Sequence, residues 1–169
     1  ERVAEGYDCA IRVGNLPDSS LVARRVGPLY GIFVASPDYI KVHGSPQTPE
    51  ELVAHQALMQ GTETWQVMDG DRVITVRPQG QFKADNGVAL AVAAAAGLGV
   101  AVLPYDLVKN YLAAGELVEV MKGHPPPAAG IYVVRPPGQH PARKVRVLTE
   151  MLIECFGSGK GSSAWPHEW

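Results

Sequence analysis

Arg12 sits at the exit of the apolar run Tyr7-Asp-Cys-Ala-Ile-Arg-Val-Gly14, where a strand gives way to a turn at Gly14-Asn15. A guanidinium there is either a solvated strand-end cation or an anion-binding group. The second stretch able to do chemistry is Asp85-Asn86-Gly87, which opens an alanine-rich run, Val88 to Ala96, stopped by Gly97. A helix start leaves unpaired N–H groups and the positive end of the peptide dipoles. Two readings stay open: Asp85 or Asn86 caps its own helix, or the amides face an anionic or acceptor-bearing small molecule. Gly87 leaves no side chain to block close approach.

Catalytic machinery is not expected. The five histidines (His43, His55, His124, His140, His167) have no metal-ligand spacing and read as surface residues. There is no Gly-x-Ser-x-Gly elbow, and Ser36 precedes Pro37 with no evident helix start to activate it. Asp85 is a single acid where acid–base work needs two. Gly97-Leu98-Gly99 links helix to strand, the reverse of a dinucleotide fingerprint. The expectation is therefore no catalytic residue, no metal and no cofactor.

Around these residues the apolar pattern predicts the elements that carry them. Tyr7–Gly14 reads as a buried strand, Leu21–Val26 resumes the chain, and Gly31–Ser36 is an interior strand stopped by Pro37. Thr48-Pro-Glu-Glu51 opens a helix with threonine as cap and proline at its first position, and Gln56–Met59 is a short strand. Asp69-Gly70 joins two alternating runs, 64–68 and 72–76, into a hairpin. Gly80–Ala84 leads into the alanine-rich helix, which reads as buried nearly all round, and Gly99–Pro104 follows as a central strand. A helix over 105–114, a strand over 116–120, a proline-rich loop over 123–130 and a last strand over 131–134 come next. Val145, Leu148, Leu152 and Phe156 share one face of a closing helix.

The 169 residues allow one ordinary domain or two small lobes, and need no staple. With 15 Lys+Arg against 17 Asp+Glu, the net charge of −2 argues against a nucleic-acid-gripping face on this chain. Cys9 and Cys155 form neither a disulfide framework nor a zinc spacing, which points to a reducing compartment; both are expected reduced and in the core. No apolar run reaches the roughly 20 residues of a membrane helix.

Several motifs, in order, resemble the effector-binding region of LysR-type transcriptional regulators. They are Asp8-Cys-Ala-Ile-Arg-Val-Gly14, Leu21-Val-Ala-Arg-Arg25, Ala35-Ser-Pro-Asp-Tyr39 with His43-Gly44, and Thr48-Pro-Glu-Glu-Leu52 with His55. Asn86-Gly-Val-Ala-Leu90, Ala96-Gly-Leu-Gly-Val-Ala-Val-Leu-Pro104 and Gly115-Glu-Leu-Val118 complete the set, which runs over residues 7 to 156. The resemblance implies an α/β, two-lobed fold like the type 2 periplasmic binding proteins, with the first lobe incomplete in this chain. Lobe one would hold residues 1–42 and 140–157, lobe two 43–139, and 158–169 would be a flexible tail.

The resemblance further implies a small effector held between the lobes, and the helix start at Asn86 with Arg12 points to an anionic organic one. It would touch Arg12 and Val13, Gln60 and Gly61, and Asn86, Gly87 and Val88. DNA would be bound by a separate N-terminal winged helix-turn-helix, absent from this chain, in a cytoplasmic homodimer or homotetramer with no membrane contact. A solute-binding protein of the same fold is the alternative, and an enzyme on the same scaffold is a third reading.

Overall fold

The computed structural model of the protein describes residues 7–14, 20–61, 64–138 and 140–157. In chain order its strands are β1 (Ala10–Gly14), β2 (Val22–Leu29), β3 (Gly31–Ala35), β4 (Gln56–Met59) and β5 (Trp65–Asp69), then β6 (Arg72–Val76), β7 (Gln79–Lys83), β8 (Val100–Pro104), β9 (Val118–Glu119) and β10 (Ala129–Arg135). The helices are α1 (Pro37–His43), α2 (Pro49–Ala54), α3 (Gly87–Ala95), α4 (Tyr105–Ala113) and α5 (Arg143–Leu152), the last running into a π-helical turn, Ile153–Gly157. The chain divides into two units, one holding residues up to Leu29 and again from Ala128, the other Tyr30–Pro127.

That division departs from the boundaries expected at 42/43 and 139/140, because strand pairing decides it. β3 pairs with β8 and β9, so residues 30–42 go with the middle of the chain. β10 pairs with β1 and β2, so the segment from Ala128 goes with the beginning. The expected tail, 158–169, lies outside the described residues.

In the Tyr30–Pro127 unit, five strands lie in the order β7-β4-β8-β3-β9. β4 runs parallel to both β7 and β8, while β3 runs antiparallel to β8 and β9. Apart from Gln56, which opens β4, the interior strands are apolar because both faces are covered. Phe33, Ala35, Ala57, Met59 and Val100 pack with Tyr39, Leu52 and the hairpin residues Trp65, Val67 and Val76. The alternate residues Ile32, Val34, Leu58, Ala101 and Leu103 pack with α3 and α4. β4 is gripped on both sides: a Cβ at Gly80 of β7 would run into the Ala57 carbonyl, and one at Gly99 into that of Gln56.

Local signals account for the helix ends. Thr48 Oγ1 accepts from Glu51 N–H, with Pro49 at the first helical position, as expected. Ser36 also proves to be a cap, its Oγ accepting from the Tyr39 amide at 3.0 Å to start α1. After α3, Gly97 takes a left-handed φ of 84° and turns the chain into β8. α3 is not buried all round. Leu90, Ala91, Ala93 and Ala94 face the core, but Val88 and Val92, one turn apart, are each 54% exposed.

The other unit is a three-stranded antiparallel sheet, β1-β10-β2. Val26, Ile131, Val133 and Val145 form its core, with Cys9, Leu29, Leu152 and Ile153 at the margin. β1 is an edge strand, so the burial expected of it is not found: Ile11 is 52% and Val13 58% exposed. Phe156 reaches back over Gly27 of β2, where a Cβ would come within 2.6 Å of it.

Candidate functional site

The parallel strands β4 and β7 end side by side, and Ala84 N–H donates to Met59 O at 3.0 Å where they leave the sheet. Beyond β4 the chain turns off at Gln60 and Gly61, the glycine at φ 71°. Beyond β7 it runs through Asp85 into α3 and returns as β8 on the other flank of β4. The carboxyl end of β4 is therefore a topological switch point, the place where open α/β sheets hold their ligands. Gln60 Nε2 donates to the Asp85 carbonyl at 3.4 Å and ties the two loops together.

Asn86 caps α3: its Oδ1 accepts from Val88 N–H at 2.8 Å, while Asp85 contributes only its carbonyl to this network. One of the first-turn amides is thereby satisfied from within, and those of Gly87 and Ala89 have no acceptor inside the helix. Gly87 faces α4, where a Cβ would lie 2.9 Å from Leu107 Cδ2 and 3.6 Å from Leu103 Cδ2. Its small size thus leaves room for the Leu107 side chain. The structure gathers Gln60, Gly61, Asn86, Gly87 and Val88 in the Tyr30–Pro127 unit.

Arg12 and Val13 belong to the other unit. As neighbours on β1 they point to opposite faces of the sheet, and both are exposed. Val13 lies opposite Ile131, on the face that α5 partly covers; Arg12 lies opposite Tyr132, on the reverse face.

Two histidines read as surface residues are half-buried and bonded. Tyr39 Oη lies 2.9 Å from His55 Nδ1 and accepts from Gln56 N–H at 3.0 Å, while the His43 ring stacks on Tyr39 at 4.5 Å. Burial raises the Tyr39 pKa above its usual value, opposed by the Gln56 amide. His55 is pushed down, first by burial and then by His43, with Glu51 opposing. His124 Nδ1 lies 2.9 Å from Met68 O and so must carry the proton, with Asp69 Oδ1 at 3.8 Å. His43 and His140 are exposed, and His167 lies outside the described residues. Among the described residues no three His, Cys, Asp or Glu side chains gather as a metal site. Both cysteines are free, but Cys155 is exposed rather than in the core because the π-helical turn swings it outward.

The model of the LysR substrate binding domain matches residues 1–156. The chain belongs to this family. A transcriptional regulator of the helix-turn-helix type from Haemophilus influenzae, itself uncharacterised, is 37% identical over 147 residues, 85% of this chain and 51% of that protein. The full-length structure of the Vibrio cholerae virulence activator AphB is 31% identical, with a TM-score of 0.72 over 90% of this chain and 52% of that one. The AphB regulatory domain from Vibrio vulnificus is 30% identical, with a TM-score of 0.71 over 90% of this chain and 76% of that one. The chain spans about half the length of the curated relatives it matches. Membership in the LysR substrate-binding family agrees with the mixed α/β units seen here and with a type 2 periplasmic-binding-protein-like fold. No helix among the described residues is long and apolar enough to cross a membrane.

Proposed function

We propose that this chain is the effector-sensing part of a LysR-type transcription regulator and takes a small, anionic organic molecule. The residues proposed to contact it are Gln60, Gly61, Asn86, Gly87, Val88, Arg12 and Val13. The observation that carries the reading is the switch point at the end of β4, where Gln60 is tied to the start of α3. Amides of the α3 first turn receive an oxygen of the effector, and Arg12 supplies the compensating charge. The chain has no enzymatic role in this reading. In the whole protein, effector binding shifts a conformational equilibrium and so the geometry of DNA-binding arms carried by a separate winged helix-turn-helix. The protein acts in the cytoplasm as a homodimer or homotetramer. That related proteins are named transcriptional regulators favours this reading over a solute-binding protein.

Asn86→Asp is the diagnostic substitution. Aspartate caps a helix as well as asparagine does, so the fold is kept, while its charge repels an anion at the same amides. A panel of small organic acids is screened by thermal shift, and any hit is carried to calorimetry and to a DNA-binding assay on the whole regulator. The expected result is a hit that Asn86→Asp abolishes without lowering the unliganded melting temperature. A hit of equal strength in Asn86→Asp and Gln60→Ala would place the pocket elsewhere.

A further inference from the structure

The antiparallel register of the β1-β10-β2 sheet sets three side chains in one row. Arg12 on β1 lies opposite Tyr132 on β10, and Tyr132 lies opposite Arg25 on β2. Residues directly opposite each other share a face, so both guanidiniums flank the phenol on the side of the sheet away from Ile131 and Val133. Strands are spaced about 4.8 Å apart, which puts the two arginine backbones roughly 10 Å from each other, with the Tyr132 backbone between them and its hydroxyl displaced along β10 toward Gly130. Adjacent Arg24 points to the opposite face.

The row is built rather than incidental. Tyr132 lays its ring along β10 over Gly130, where a Cβ would come within 2.6 Å of Cε2, 2.7 Å of Cζ and 2.8 Å of the hydroxyl. Any other residue at 130 would lift the phenol away. Among the described residues, Arg12, Arg25 and the Tyr132 hydroxyl have no hydrogen-bond or ion-pair partner. The rows on either side, Ala10-Val134-Ala23 and Gly14-Gly130-Pro28, bring no carboxylate to neutralise them. Two like charges on one face, with a phenol hydroxyl one row along the same face, attract an anion.

We infer that Arg12, Tyr132 and Arg25 form a clamp for one oxyanion group of a small molecule, a carboxylate or a phosphate. Each guanidinium donates from its planar fork, and the phenol donates its single proton to the same group. The inference rests on the reading of Arg12 as an effector contact and adds two residues to it: Arg25 as the second cation, Tyr132 as the neutral donor that orients the anion.

The test titrates the protein with succinate and, separately, with inorganic phosphate. Arginine Nε–Hε and tyrosine ring resonances are followed in the wild type, Arg12→Gln, Arg25→Gln, Tyr132→Phe and Arg24→Gln. Arg24→Gln removes the same charge from the other face and so controls for net charge. The clamp predicts that Arg12→Gln and Arg25→Gln each weaken one of the two probes by about tenfold or more, and that Tyr132→Phe weakens it by several-fold. Arg24→Gln leaves it within twofold, and the identity of the affected probe separates carboxylate from phosphate. Equal weakening by Arg24→Gln, or no saturable shift with either probe, overturns the clamp. If Arg12→Gln weakens binding but Arg25→Gln and Tyr132→Phe do not, the clamp falls while the wider reading of Arg12 stands. If Arg25→Gln weakens binding and Asn86→Asp does not, the clamp stands and the α3 end of the site falls.

Discussion

Replacing Tyr39 by phenylalanine keeps the ring buried against its neighbours and its stack with His43, and removes one oxygen. That oxygen accepts from Gln56 N–H at 3.0 Å and meets His55 Nδ1 at 2.9 Å. A phenol has one proton to give, and the lone pair facing Gln56 is taken, so the proton goes to His55 Nδ1 when that ring is neutral. Each bond contributes about 1 kcal/mol net, and water reaches the exposed Gln56, so Tyr39→Phe costs about 1–2 kcal/mol at pH near 8. Burial first, then His43, holds His55 below its ordinary value, with Glu51 opposing. Below about pH 6.5 the unfolded chain therefore binds more protons than the native one. The His55 contribution is complete above that value and is lost as the pH falls through the depressed folded one. Protonated His55 cannot accept, so at a low pH, below the depressed folded value, the cost of Tyr39→Phe falls by about half. Urea unfolding of wild type and variant at both pH values reads this directly, as a midpoint shift of roughly 0.5–1 M at the higher pH for a slope of about 2 kcal/mol/M. An equal shift at the two pH values, or none at the higher, refutes the assignment of the proton.

Gly87→Leu must displace Leu107 of α4, so it destabilises the protein by about 1–3 kcal/mol even without effector, seen as a lower melting temperature. An unchanged melting temperature would mean that Gly87 is small for the ligand's sake alone. Met121 holds φ at 59° with its side chain fully buried, so Met121→Gly sets relief of about 1–2 kcal/mol of backbone strain against about 2–5 kcal/mol of lost packing. The packing term wins, and the denaturation midpoint is expected to fall rather than rise.

Elements whose ends carry their own chemistry were legible in the sequence. Thr48-Pro49, Asp69-Gly70 and Gly97 each announce a cap, a turn or a stop within a few residues. What required distant partners was not legible. Nothing near β3 says that it pairs with β8, so the division between units was misplaced, and contiguous apolar residues in β1 look the same on an edge as in an interior. The small side chains of α3 suggested burial on every side, though Val88 and Val92 face outward. At the candidate site the sequence located the helix start but left Asp85 and Asn86 unresolved, since choosing a cap needs the dihedral angles of the turn. Arg25 and Tyr132 escaped notice because a row across three strands exists only once register is known.

The grip on β4 has a consequence during synthesis. Both strands that pair with it, β7 and β8, lie later in the chain, whereas β5 and β6 between them close on each other across a short turn. A ribosome working at roughly 5–20 residues per second therefore leaves both hydrogen-bonding edges of the apolar run Ala57-Leu58-Met59 bare until Lys83 is made, and one of them bare for several seconds in all, until Pro104 follows. Such an edge recruits other chains. Its glycine-lined slot admits only strands that carry glycine at the point of contact, so stray neighbours fit poorly while β7 and β8 are still to come.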